Sequence, residues 1–227
     1  KLRIARALID SGVRCIEATS FVRPQWIPQM ADADAVAREV RAYAQGKQVE
    51  VIALAPNARG VERDREAGMD TAVCVVSASE THNRKNVNRT IPASLAEFEE
   101  ACKRKGPMRI KLSIATAFGC PYEKEIPAEK VLDLARKGLQ AGADELLLCD
   151  TIGVADPYQV RDLVRRLRRD RDLAACPVGL HLHDEGLAHA RWAEAGEDVR
   201  QRVEQRVRRH HRVRRAVDAR GEHREVR

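Results

Sequence analysis

Aromatic side chains are scarce in this 227-residue chain, at 4% of the total. Any buried core must therefore be mostly aliphatic. No CxxC pair occurs among the six cysteines, Cys15, Cys74, Cys102, Cys120, Cys149 and Cys176. Several sit inside apolar runs such as AVCVV and LLLCD, which reads as reduced core thiols and a reducing compartment. No apolar run reaches membrane-spanning length, and no secretory signal opens the chain. No GxGxxG or GxxxxGK follows a strand pattern, which counts against nucleotide binding. The chain opens on Lys1 inside a helical pattern, so it is expected to be a fragment.

What is present is a soluble, globular composition, 44% hydrophobic and 33% charged. The length suits one α/β domain with a core that needs neither disulfide nor structural metal. Apolar strand patterns at 13–19, 49–55, 71–78, 109–118, 144–151 and 178–184 alternate with helical patterns at 32–45, 57–68, 91–105, 127–142 and 156–170. Strands this apolar are buried on both faces, as in a parallel sheet. Two architectures compete, an open doubly wound sheet and a closed (β/α)8 TIM barrel. Polar residues gather at the strand C-terminal ends, where barrel enzymes build their sites.

His181-Leu182-His183-Asp184 ends the last strand pattern. Residues two apart on a strand point the same way, so His181 and His183 are candidate ligands of one divalent ion. The alternative is a pair of solvent-rim histidines. Glu17 lies in an otherwise apolar strand, where a carboxylate is either a proton carrier or half of a salt bridge. Asp150 follows LLLC, and is either a site residue or a turn cap. The stiff loop FVRPQWIPQMAD, with Trp26 and Met30, is either a pocket wall or a packing loop. Cys120 lacks a local base and reads as a packing residue. The polar segment SETHNRKNVNRT carries Arg84, Lys85 and Asn86. It reads as a loop, either solvated or facing an anionic substrate group.

EATSFVRPQWIPQMAD, GCPYE, DTIGV and HLHD, in this order, resemble the hydroxymethylglutaryl-CoA lyase family over residues 1 to about 184. The resemblance implies an incomplete (β/α)8 barrel holding the second to seventh strands. It implies a divalent metal, Mg²⁺ or Mn²⁺, bound by His181 and His183, with Glu17 and Asp150 assisting proton transfer. The implied reaction cleaves an acyl-CoA substrate, 3-hydroxy-3-methylglutaryl-CoA, into acetoacetate and acetyl-CoA. The family also implies a homodimer, in the cytoplasm or the mitochondrial matrix. Its Arg-Asp pair on the first strand, its cysteine in a glycine-rich loop and its asparagine ligand have no counterpart here. The chain by itself is accordingly expected to be nearly inactive. Related synthases and aldolases of the same barrel superfamily are the neighbouring alternative.

Residues 185–227 change character. Leu187 is the last leucine, lysine is absent, and arginine supplies twelve positions. Such a stretch is not expected to form a barrel strand or a core-facing helix. It reads as a non-core tail, either disordered or translated out of frame. A non-catalytic, arginine-tailed nucleic-acid binder is the third reading. The interspersed glutamates and missing stacking aromatics count against nucleic acid as a partner.

Overall fold

The computed structural model describes residues 1–182. The first half runs α1 (Leu2–Asp10), β1 (Cys15–Ser20), a 3-10 turn (Pro28–Met30), α2 (Ala33–Ala44), β2 (Glu50–Leu54), α3 (Ala58–Glu66) and β3 (Thr71–Ser77). The second runs α4 (Glu80–Val87), α5 (Ile91–Arg104), β4 (Arg109–Ala115), α6 (Ala128–Ala141), β5 (Glu145–Cys149), α7 (Pro157–Arg169) and β6 (Val178–His181). The strands form one parallel sheet in chain order, β1 to β6. The expected incomplete TIM barrel is thus borne out, as a curved half-barrel with β1 and β6 at its ends. The expected tail, 185–227, lies outside the described residues, as does His183. Among the described residues no helix is long and apolar enough to cross a membrane.

The helices form where apolar spacing and capping agree. In α7 the buried residues Pro157, Val160, Leu163 and Leu167 follow the helical repeat, and the Asp156 carboxylate accepts from the Tyr158 and Gln159 amides. Asn57, Ser79 and Thr90 cap α3, α4 and α5 in the same way. Side chains alternate along each strand. One set, including Val51, Ala53, Ala72, Ile110, Leu112, Ile114, Leu146 and Leu148, is fully buried and faces the helices. Each buried Leu or Ile contributes roughly 2 kcal/mol. At Gly138 of α6 an added Cβ would sit 2.3 Å from Leu112 Cδ2, so α6 approaches β4 more closely than alanine permits.

The other set lines the concave face. Near the N-terminal ends of the strands Lys111, with a side chain only 8% exposed, lies 3.1 Å from Glu50 and 3.3 Å from Glu145. Arg109 reaches the same two carboxylates, and the Thr71 hydroxyl donates to Glu50 at 2.6 Å. Burial works to raise the Glu50 pKa, but the hydrogen bonds from Thr71 and Lys111 outweigh it and hold the carboxyl below its ordinary range.

Two expectations are corrected, and one buried carboxylate was not foreseen. Residues 79–90 are not a loop throughout, because Glu80–Val87 form α4. This helix has no apolar stripe for periodicity to reveal, and it is held by polar contacts instead. Buried Asn83 accepts from the Ser77 amide and donates to the Arg89 carbonyl and the Ser94 hydroxyl. The cysteines are all free, yet they are not uniformly core. Cys15 is exposed on the concave face of the end strand β1, and Cys102 and Cys149 are half-buried. Polar α3 conceals a fully buried Asp64, whose two carboxylate oxygens have no hydrogen-bond partner among the described residues.

Two stability predictions follow from these buried charges. Replacing Lys111 by alanine leaves Glu50 and Glu145 facing each other, and is expected to cost about 3 kcal/mol in urea unfolding. A loss below about 1 kcal/mol would show that solvent already screens the cluster. The second concerns Asp64, whose pKa is raised to about 8, first by burial and then by the charge of Glu17. Its unfolded pKa is about 3.9. Between these values the native state holds a proton that the unfolded chain has lost. Stability therefore falls as pH rises from about 4 to about 8, by an amount on the order of a few kcal/mol. Asp64→Asn cannot ionise and should lose less stability over that window. Identical pH slopes for the two proteins would refute the assignment.

Candidate active site

In a parallel sheet all strand C-termini open on one side, so residues far apart in sequence meet at one mouth. Asp150 just beyond β5 and His181 at the end of β6 lie on that side, and Glu17 lies midway along β1. His181 is in register with Cys149, which places its side chain on the concave face with Cys149 and Ser113. The Ser113 hydroxyl and Cys149 thiol are 3.1 Å apart. The Cys149 thiol pKa is raised, chiefly by burial, and the charges of Glu17 and Asp150 add to the shift. One inward side chain thus lies within the field of two predicted site carboxylates.

Glu17 was expected to be a proton carrier or half of a salt bridge. It keeps solvent contact, because β1 ends the sheet and its concave face is open. No ion pair to Glu17 occurs among the described residues. Surrounding protein still desolvates the carboxyl partly and raises its pKa above the ordinary range. β1 carries a register irregularity between Glu17 and Thr19, which reverses the facing of the residues that follow.

Asp150 is buried and acts first as a turn cap, its Oδ1 accepting from the Val154 amide at 2.9 Å. Its Oδ2 is buried without a hydrogen-bond partner among the described residues. Capping of α7 falls to Asp156 instead. The backbone around Asp150 is fixed by ladder bonds that continue past the strands. Asp150 N donates to the His181 carbonyl at 2.8 Å, and Ala117 N donates to the Cys149 carbonyl at 3.1 Å.

Cys120 is buried as expected of a packing residue, its sulfur accepting from the Tyr122 and Glu123 amides at 3.4 Å. The loop after β1 buries Phe21 and exposes Trp26 to 67%. Arg23, Pro24 and Gln25 of this loop wall a cavity with the start of α3. Sequence reasoning gave no hint of Thr116. This buried residue lies just past β4 with φ of 57°, in the left-handed region that a β-branched residue rarely adopts. Its amide is held by Thr151 Oγ1 at 2.8 Å. Asp64 was missed as well, because a charged residue in a polar helix carries no signal that it faces inward.

The described residues offer one inward imidazole, His181, and a buried carboxylate oxygen on Asp150 lacking a partner. Nitrogen and carboxylate donors suit a divalent ion. Among the described residues no cluster of three or more such groups is assembled. These residues therefore fit part of a metal site.

The HMGL-like family model matches residues 1–207. The chain is 40% identical over 189 residues to a hydroxymethylglutaryl-CoA lyase of Bacillus subtilis, covering 81% of this chain and 60% of that protein. An (R)-citramalyl-CoA lyase of Chloroflexus aurantiacus is 35% identical over 193 residues, again covering 81% and 60%. A solved structure of an HMG-CoA lyase from Acinetobacter baumannii, in complex with coenzyme A and 3-methylmalate, matches with TM-score 0.73. That match is 31% identical and covers 81% of this chain and 59% of that one. The chain spans about 60% of the length of the curated relatives it matches.

The Thr116–Thr151 bond joins the two loops that border the mouth, and it can be tested directly. Thr151→Val removes the acceptor and leaves a buried amide unpaired, at an expected cost of about 1–2 kcal/mol. Thr151→Ser should restore most of that stability. Equal unfolding midpoints for the valine and serine variants would show that the hydrogen bond contributes nothing.

Proposed function

The chain belongs to the HMGL-like family, and from that premise we propose that its strand-end residues form part of the active site of a metal-dependent carbon–carbon lyase. The observation that carries this reading is that Asp150 and His181 lie at neighbouring strand ends, joined by the Asp150 amide donating to the His181 carbonyl at 2.8 Å, with the charges of Glu17 and Asp150 both acting on the Cys149 thiol. The proposed substrate is 3-hydroxy-3-methylglutaryl-CoA, cleaved to acetoacetate and acetyl-CoA. The relatives named as acting on hydroxymethylglutaryl-CoA, and the relative bound to coenzyme A, support the acyl-CoA class.

The cleavage breaks the bond between the carbinol carbon and the thioester-bearing CH₂ group. The hydroxyl proton leaves as its oxygen becomes a carbonyl. The bonding pair stays with the thioester fragment as an enolate, which takes up one proton to give acetyl-CoA. Mg²⁺ or Mn²⁺, when bound, supplies Lewis acidity that makes the hydroxyl easier to deprotonate. His181, with His183 two residues later in the sequence, would hold the ion.

Glu17 is suited to carry a proton, because partial burial raises its pKa above the ordinary carboxyl value while solvent contact lets it exchange. Asp150 has one oxygen fixed by the Val154 amide and the other without a partner. It is placed to orient a hydroxyl rather than to move. Among the described residues the ligand set is incomplete.

Calorimetric titration with Mn²⁺ tests the metal reading on the full chain and on a His181→Ala, His183→Ala variant. Saturable binding by the parent, weakened at least about tenfold in the variant, is the expected result. No binding by the parent, or equal binding by both, would overturn it. Incubation of the metal-loaded chain with 3-hydroxy-3-methylglutaryl-CoA, citramalyl-CoA, or acetyl-CoA plus a 2-oxo acid separates lyase from synthase or aldolase chemistry.

A further inference from the structure

A second concave site lies on the same side of the sheet, where the loop after β1 meets the start of α3. It is a cavity of about 470 Å³. Arg23 and Gln25 approach from the loop, and Asn57, Arg59, Gly60 and Arg63 from α3 and its cap. Three lining residues are arginines and none is acidic.

The arginines are not equivalent. Arg63 is paired with Asp34 of α2 at 2.5 Å, and its guanidinium lies 4.8 Å from the centre of the Phe21 ring. Its charge is largely balanced and its position fixed. Arg59 is exposed and has no ion pair among the described residues. Arg23 is also exposed; it stacks over Trp26 at 5.6 Å and likewise has no acidic partner among them. Two guanidinium groups without an acidic partner among the described residues therefore face one concavity.

The backbone at this point is built for close approach. The Asn57 side chain accepts from the Gly60 amide, and the Ala58 amide is held by Glu97 Oε1 at 2.9 Å. An added Cβ at Gly60 would come within 3.0 Å of Pro56 and 3.3 Å of Ala55, so the first turn of α3 packs directly on the residues that follow β2. Planar guanidinium forks match the oxygens of a phosphate group better than a point charge does. The volume exceeds that of a bare phosphate and falls in the range of small-molecule sites, about 300–1,000 Å³.

We propose that this cavity binds the phosphate group of a small organic molecule through Arg23 and Arg59, with Arg63 as a fixed wall. The proposal stands on the cavity and its unbalanced charge, and does not depend on the lyase reading. The phosphate belongs either to a free phosphate ester or to the coenzyme A portion of an acyl-CoA, and the experiment below separates the two.

Pyrophosphate is the probe. It is titrated by calorimetry into the full chain and into Arg59→Ala, Arg23→Ala and Arg59→Lys variants, with Lys137→Ala on α6 as a distant charge control. Circular dichroism checks that each is folded. Arg23 and Arg59 make no ion pairs among the described residues, so folding should survive their loss. Saturable binding by the parent is expected, weakened about tenfold by each alanine, less by Arg59→Lys and not by the control. No saturable binding at millimolar pyrophosphate overturns the site, as does equal weakening in the control or none in the arginine variants. Competition by coenzyme A then assigns the phosphate to the acyl-CoA, and simultaneous binding assigns it to a separate phosphate ester.

Discussion

Lys111 reaches Glu50 across an intervening strand, and the curl of the sheet shortens that reach. The two residues lie on β4 and β2, with β3 between them, and flat neighbouring strands stand about 4.8 Å apart. Across two such spacings the side chains of a flat sheet would stand side by side. On a concave face they converge, and the ammonium meets Glu50 at 3.1 Å and Glu145 at 3.3 Å. A buried ammonium needs these carboxylates, and each carboxylate needs a cation. The cluster therefore favours one curvature and one register for β2, β4 and β5. The mouth at the other end of those strands inherits its geometry from both.

The same alternation that directs Lys111 inward directs its neighbours Ile110 and Leu112 outward, under the helices. Continuing along the strands, it brings Ser113, Cys149 and His181 to the concave face nearer the mouth. Apolar burial thus secures the outer layer, and charge pairing secures the inner floor. The upper part of the concave face is left polar and partly unpaired. Glu17 lies midway along β1, while the free oxygen of Asp150 and the strained Thr116 are buried just past the ends of β5 and β4. Unpaired and strained groups are tolerated there because the pairing below and the packing outside hold the strands.

Three kinds of residue were legible to different degrees. The strands and most helices announced themselves, because their apolar spacing is the force that assembles them. Helix α4 did not, since it rests on caps and on the hydrogen bonds of Asn83 rather than on an apolar face. Asp64 was invisible for a related reason: a single charged residue in the polar helix α3 does not disclose which way it faces. For Asp150, sequence left two readings open. The structure gives one oxygen to the cap at Val154 and leaves the other without a partner, so capping and a site role are compatible.

The sequence by itself determined the alternation of strand and helix, the aliphatic core and the family motifs that mark Glu17, Asp150 and His181. These follow from local spacing and from residue identity. Only the tertiary structure decided how exposed Glu17 is, because that depends on β1 standing at the end of the sheet. It alone brought Arg23 beside Arg59 and Arg63, from segments separated by a helix and a strand. It alone showed Asp64 fully buried against the sheet. Such facts depend on distances between parts of the chain remote in sequence, which no local pattern of residue types contains.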